Sequence, residues 1–166
     1  MKEVSTLGLE SKKIKEIYYI PRQEFINEFK AKFLGIIKQY YSDDNIKKDA
    51  EDYFDDDHTA INFRDIEIIP DEDGEFKSKV SIQVDYLYVT LINDMMIIAA
   101  ITTVVSFRTS HTDKNEIGNL LKKNDLFSGI VYPGFNFLGS LISNITAIDL
   151  TVPYIPDFTS PDNHDK

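Results

Sequence analysis

The stretch that decides the fold is "KVSIQVDYLYVTLINDMMIIAAITTVVSFRTS", Lys79 to Ser110. Its first half alternates. Val80, Ile82, Val84, Tyr86 and Tyr88 face one way, and Ser81, Gln83 and Asp85 face the other, which is the period of a half-buried strand. Asn93-Asp94 is a turn. The second half, from Met95, is a strand apolar on both faces. A single layer of helix covers only one face of a sheet. Such a strand therefore predicts a second face buried by a partner or offered to a ligand.

Upstream, "INFRDIEII" (61–69) reads as an imperfect strand ended by Pro70. In "PDEDGEF" (70–76), Asp73-Gly74 offers the positive φ angles of a tight hairpin. Three consecutive strands joined this way make an antiparallel meander. The apolar run Tyr86 to Phe107 is long enough to raise a transmembrane question. Asn93 and Asp94 cut it to an unbroken stretch of 11 residues, Met95 to Val105, and its β-branched content favours strand.

Before the strands, "RQEFINEFKAKFLGIIKQYY" (22–41) places Phe25, Ile26, Phe29, Phe33, Ile36, Ile37 and Tyr40 on one helical face, with Pro21 just before or at its first turn. The preceding "IKEIYYI" fits a short strand or a helical turn equally well. "SDDNIKKDAEDYFDDD" (42–57) keeps a helical spacing through Ile46, Ala50, Tyr53 and Phe54, and predicts a short helix with a solvated acidic face. After the strands, "HTDKNEIGNLLKKNDLFSG" is a polar connection with one helical turn or two around Ile117, Leu120 and Leu121. An apolar helix follows, with Pro133 at its start and Phe135, Leu138, Leu141, Ile142, Ile145 and Ile148 on one face. The expected class is α+β: an antiparallel meander sheet with a long C-terminal helix packed on it, plus N-terminal helices. Residues 1–160 read as one domain, with 22–57 a helical N-terminal extension and 161–166 a frayed tail.

Composition narrows the function. The chain has 166 residues and no cysteine, which removes disulfides, thiolate catalysis and cysteine-ligated zinc. Its formal net charge of −10 repels nucleic acid phosphates. The start "MKEVSTLGLESKKIK" has no apolar core of a signal peptide, so the expected location is the cytoplasm. His58, His111 and His164 lie far apart, and "DDDH" (55–58) reads as a solvated charge run rather than a metal site. "DEDG" (71–74) resembles the start of a calcium loop, but the twelfth position is Ile82 where a bidentate Glu is needed. There is no glycine-rich phosphate loop, nucleophile elbow or HExxH. Nothing here points to an enzyme, a metal or a cofactor.

Residues 131–158 carry a pattern that resembles the SecB export chaperones. The aromatic-proline pair Tyr132-Pro133 opens a helix with Leu138, Leu141, Ile142 and Ile145; Thr146, Leu150, Pro153 and Phe158 follow. The strands at 61–108 precede it in the right order, and the resemblance covers 61–158. It implies a divergent member with an added N-terminal helical segment. It further implies an ATP-independent holdase that binds unfolded clients in apolar grooves. Its partners would be an unfolded client or an antitoxin, and in export the SecA motor ATPase, with the chain assembled as a homo-oligomer. The client-binding residues it points to are Tyr86, Tyr88, Phe107, Leu126, Phe127, Tyr132, Tyr154, Ile155 and Phe158. The alternative is an immunity, antitoxin-type or anti-defence protein that meets one folded partner through an acidic surface at Asp52, Asp55, Asp56 and Asp57.

Overall fold

The computed structural model describes residues 3–41, 50–54, 57–72, 74–147, 154 and 156. In chain order the elements are β1 (Gly8–Pro21), α1 (Arg22–Glu24), a π-helical turn (Phe25–Phe29), α2 (Lys30–Ile37) and a 3-10 turn (Ala50–Tyr53). After them come β2 (His58–Pro70), β3 (Ser78–Ile92), β4 (Met95–Thr109), α3 (Lys114–Leu121) and α4 (Asn124–Thr146). Asn93 and Asp94 both take positive φ, 49° and 60°. That geometry matches the natural twist of the strands it joins, so the decisive stretch folds as the β3–β4 hairpin. The sheet has four antiparallel strands in the order β1-β4-β3-β2. The expected α+β class, with an antiparallel sheet, a long C-terminal helix and N-terminal helices, is what the chain forms.

The chain divides into two compact units, each built from segments of these same strands. Unit 1 holds residues 1–13, 63–85 and 102–137. Along its part of β3, buried Val80, Ile82 and Val84 alternate with Lys79, Ser81, Gln83 and Asp85, so the two sets face opposite ways. Val105 and Phe107 of β4 are buried too, as are Ile117, Leu120 and Leu121 of α3 and Ile130 and Val131 of α4. Phe63 of β2 and Phe127 of α4 meet with ring centroids 5.5 Å apart. Asp113 starts α3 by accepting the Asn115 and Glu116 N–H groups at 2.7 and 3.2 Å.

Unit 2 holds residues 14–62, 86–101 and 138–166. Here β4 is apolar on both faces. Met96, Ile98 and Ala100, with Leu87 and Val89 of β3, join one cluster with Phe25, Phe33, Ile36, Ile37, Tyr40 and Tyr53. Ile97, Ala99 and Ile101 fall on the opposite face and are also buried. The helical segment after β1 thus covers the face for which the sequence predicts a partner or ligand. Its rings interlock edge-on: Phe25–Phe33 at 5.2 Å, Phe25–Phe54 at 5.5 Å and Phe33–Tyr53 at 5.3 Å. The Arg22 N–H donates to the Asp94 carbonyl at 2.6 Å, fixing the entry to α1 against the hairpin turn.

Several expectations shift. "IKEIYYI" belongs to β1, a 14-residue strand at the sheet edge. Tyr86 to Phe107 is strand, turn and strand, not one long apolar helix. By length and composition alone it is α4 that would pass for a membrane span. α4 starts at Asn124, so Pro133 lies inside the helix. A proline there removes one N–H and crowds the carbonyl four residues earlier, at a cost of about 3 kcal/mol. Burial of Ile130, Val131, Leu138 and Ile142 offsets that cost. No described glycine has positive φ, so Gly74 does not make the predicted tight hairpin. The Asp71 N–H instead donates to the Lys77 carbonyl at 2.9 Å and closes a longer loop. Of the helix expected over 42–57, residues 50–53 form a 3-10 turn, and 42–49, 55 and 56 lie outside the described residues.

Thr103 of β4 is fully buried, and its hydroxyl finds no hydrogen-bond partner among the described residues. An unpaired buried hydroxyl costs about 1–3 kcal/mol. Thr103→Val should therefore stabilise the chain by about 1 kcal/mol and raise its melting temperature by about 2–4 °C. Thermal unfolding followed by circular dichroism checks this, and a lowered midpoint would show that the hydroxyl is satisfied.

Candidate functional site

In unit 2 one carboxylate gathers three hydroxyls. Asp57 lies just before β2. The Tyr88 and Tyr154 hydroxyls donate to its Oδ2 at 2.8 and 2.5 Å, and the Thr90 hydroxyl donates to its Oδ1. Tyr88 and Thr90 stand two residues apart on β3, so they share a face. Tyr154 is held a second time, because its N–H donates to Thr146 Oγ1 at 2.9 Å. The Thr146 hydroxyl in turn donates to the Ile142 carbonyl at 2.8 Å, in the last turn of α4. Burial, then the hydrogen bonds with Tyr154 and Asp57, push the Tyr88 phenol far above its ordinary range. Tyr88 therefore stays a neutral hydrogen-bond donor to Asp57. The arrangement is a clasp that ties Tyr154 to β3 and to the end of α4.

Two measurements test the clasp. Tyr154→Phe removes one hydroxyl-to-carboxylate bond and should cost about 1.5–3 kcal/mol. Asp57→Ala leaves three hydroxyls without their acceptor and should cost more, about 3 kcal/mol or above. Denaturant unfolding reads both, and equal costs would contradict the shared acceptor. In an alkaline absorbance titration, Tyr88 should stay un-ionised until the chain unfolds.

In unit 1 the polar side of the sheet is a network of paired charges. The Asp85 side chain is entirely buried, 2.7 Å from Arg64 Nε of β2. It also accepts the Thr102 hydroxyl at 2.6 Å and the Gln83 amide at 3.3 Å. Further along, Lys79 pairs with Glu10 of β1 at 2.9 Å, and Arg108 with Asp71 at 3.2 Å. The Lys79 hydrogen bond, then that of Ser106, holds the Glu10 carboxyl below the usual range. Each of these charges stands against a partner of opposite sign.

The residues expected to bind a client separate by burial. Tyr86, Tyr88 and Phe107 are interior side chains, at 0, 0 and 2% exposure, on stretches of β3 and β4 where the neighbouring Leu87 and Ser106 of the opposite face are buried too. They do not line a surface. Leu126 and Phe127 are half-buried, with Phe127 occupied by Phe63. Tyr132 stands out of α4 at 63% exposure. Tyr154 is half-buried in the clasp, and Ile155 and Phe158 lie outside the described residues. Of the acidic set, Asp52 is exposed, while Asp55 and Asp56 lie outside the described residues. Asp57 is committed to three hydroxyls and is not a free surface charge. The structure thus joins Tyr88, Tyr154 and Asp57, which the sequence assigns to two separate surfaces. Thr90 and Thr146 were missed. The one available signal was the two-residue spacing of Thr90 from Tyr88.

Other apolar side chains are open to solvent. Leu9, Ile14 and Ile17 are exposed on β1, and Ile66 and Ile69 on β2, the two outer strands of the sheet. Between Asp125 and Thr146, α4 carries no charged residue. No group of three or more His, Cys, Asp and Glu suited to a metal occurs among the described residues.

These features define the chain as an α+β protein on a four-stranded antiparallel sheet, with apolar side chains open at the sheet's two edges. Comparison with known proteins adds the following. No protein-family model matches, and no curated protein matches. The crystal structure of a protein of unknown function from Streptococcus agalactiae matches with a TM-score of 0.56 at 12% identity, over 92% of this chain and 98% of that one. That likeness shows a shared fold.

Proposed function

We propose that the chain is an ATP-independent holdase of the SecB kind, which binds unfolded or aggregation-prone polypeptides and releases them without chemistry. The observation that carries the proposal is the exposure of Leu9, Ile14 and Ile17 on β1 and of Ile66 and Ile69 on β2. Outer strands also present unpaired backbone donors and acceptors, to which an extended client can add as a further strand. Client side chains laid on the exposed apolar residues gain roughly 25 cal/mol per Å2 of apolar area buried. Weak sites used together give avidity. The net charge of −10 keeps such a surface soluble. On this reading the protein works in the cytoplasm as a homo-oligomer. Its clients come from export, with SecA as the receiving motor, or are antitoxins.

The alternative, an acidic surface that binds one folded partner, draws less support. Asp57 spends its carboxylate inside the fold, and Asp52 is the one proposed contact that is both described and exposed.

The test is light scattering of a chemically denatured client diluted into buffer with stoichiometric protein and no nucleotide. Aggregation should be suppressed. The double variant Leu9→Lys with Ile66→Lys should weaken client binding about tenfold, near the value of burying one leucine-sized side chain, with unchanged circular dichroism. Failure to suppress aggregation at any salt concentration sinks the holdase reading. One tight, salt-sensitive partner recovered in a pull-down would favour the acidic-surface alternative.

A further inference from the structure

Residues Glu3–Leu7 run ahead of β1 and are tied down along their length. Val4 forms an antiparallel bridge with Thr109. The Ser5 N–H donates to the Arg108 carbonyl at 2.8 Å, and the Arg108 N–H donates back to Ser5 Oγ at 2.7 Å. The Thr109 hydroxyl donates to the Glu3 carbonyl at 3.0 Å. Leu7 lies on Gly129 of α4, where an added Cβ would stand 2.5 Å from Leu7 Cδ1. The leucine fills the notch that the glycine leaves.

The Glu3 carboxylate is the other anchor. Lys123, between α3 and α4, donates to its Oε2 at 2.8 Å, and His111 Nε2 stands 3.0 Å from its Oε1. The second ring nitrogen of His111, Nδ1, stands 3.2 Å from Glu116 Oε2 on α3. Both ring nitrogens thus face carboxylate oxygens. Only the protonated imidazole has an N–H on each nitrogen; a neutral ring must set a lone pair against one of the two carboxylates. Among the described residues, the charged groups around the ring are Glu3 ahead of β1, Glu116 on α3, and Lys123 beyond Glu3. Asp113 is nearby in sequence but is occupied in starting α3, and Arg108 is paired with Asp71.

We propose that Glu3–Leu7 is a proton-controlled strap: protonated His111 clamps it to β4 and to the α3–α4 joint, and neutral His111 loosens it and lifts Leu7 from Gly129. The direction follows from the carboxylates. The hydrogen bond to Glu3, then that to Glu116, raises the pKa of His111, while Lys123, then His111, lowers that of Glu3. The raised histidine contributes fully below about 6.5, its unfolded value, and its contribution is lost as pH rises through the folded value. The lowered Glu3 contributes above its reference value of 4.5 and loses that contribution as pH falls through its folded value. The strap is therefore tightest on the acid side of neutrality and slackens in mild alkali, where the Glu3 carboxylate keeps the Lys123 ammonium but loses the imidazolium charge.

Amide hydrogen exchange by NMR, corrected for intrinsic rates, tests the proposal on the full chain. Between pH 6 and pH 8.5 the Ser5 and Arg108 amides should lose about tenfold in protection, while central β3 amides keep theirs. The His111 ring protons should titrate with a midpoint above about 6.5. In His111→Gln the Ser5 amide should be weakly protected at both pH values, and Glu116→Gln should lower the His111 midpoint. Equal Ser5 protection at the two pH values in the unaltered chain, a wild-type-sized pH step in His111→Gln, or a midpoint at or below 6.5 would each overturn the strap.

Discussion

β4 is apolar on both faces from Met96 to Ile101, and a strand of that kind must be covered twice. The covering could come from a second chain, from a ligand or from the same polypeptide. Here it comes from the same polypeptide. The helical segment that follows β1 lays Phe25, Phe33, Ile36 and Ile37 over Met96, Ile98 and Ala100, and its interlocked rings fill the space. Several other features of unit 2 follow. Residues 22–37 must fold back on the sheet, so the backbone at Arg22 is fastened to the hairpin turn at Asp94. Tyr53 and Ala50 must close the edge of the cluster, so the acidic stretch cannot be wholly a solvated helix.

The covered elements were legible because burial writes a period into the sequence. Val80, Ile82 and Val84 alternate with polar partners, the Asn-Asp pair tolerates positive φ, and Phe25, Phe29 and Phe33 repeat at helical spacing. β1 was not legible. Most of its residues are exposed whichever way they point, so nothing forces alternation, and Lys, Glu and Ile follow one another in "KKIKEI" without a face. Lysines along an outer strand are also what guards it against adventitious pairing, which further dilutes the strand signal. Pro133 misled for another reason. Prolines favour a helix's first turn, but α4 carries one inside, flanked by the buried Ile130, Val131 and Leu138. Gly74 misled because the loop closes through Asp71 and Lys77 and needs no positive φ.

The candidate site was legible only as residue types. The sequence sets aromatic and apolar residues apart from acidic ones, whereas the fold brings Tyr88 and Tyr154 onto Asp57, and composition does not say which aromatic faces inward. Tyr86 and Tyr88 lie on a stretch of β3 buried on both faces, while Tyr132 on α4 faces solvent. The Asp57 clasp joins residues brought together only by tertiary folding, and a run of aspartates gives no hint that its last member differs from the rest. The paired charges on the polar side of unit 1 are hidden in the same way. Arg64 and Asp85 are ordinary strand residues until β2 is set beside β3.

The strand order has a consequence for how the molecule is made. Of the sheet's four strands β1 is made before the others, yet its neighbour is β4, the last of the four to be made. Throughout translation of the intervening residues, Gly8–Pro21 has no strand to pair with. Synthesis and assembly therefore run in opposite order at this edge, and β1 can enter the sheet only once Met95–Thr109 has left the ribosome.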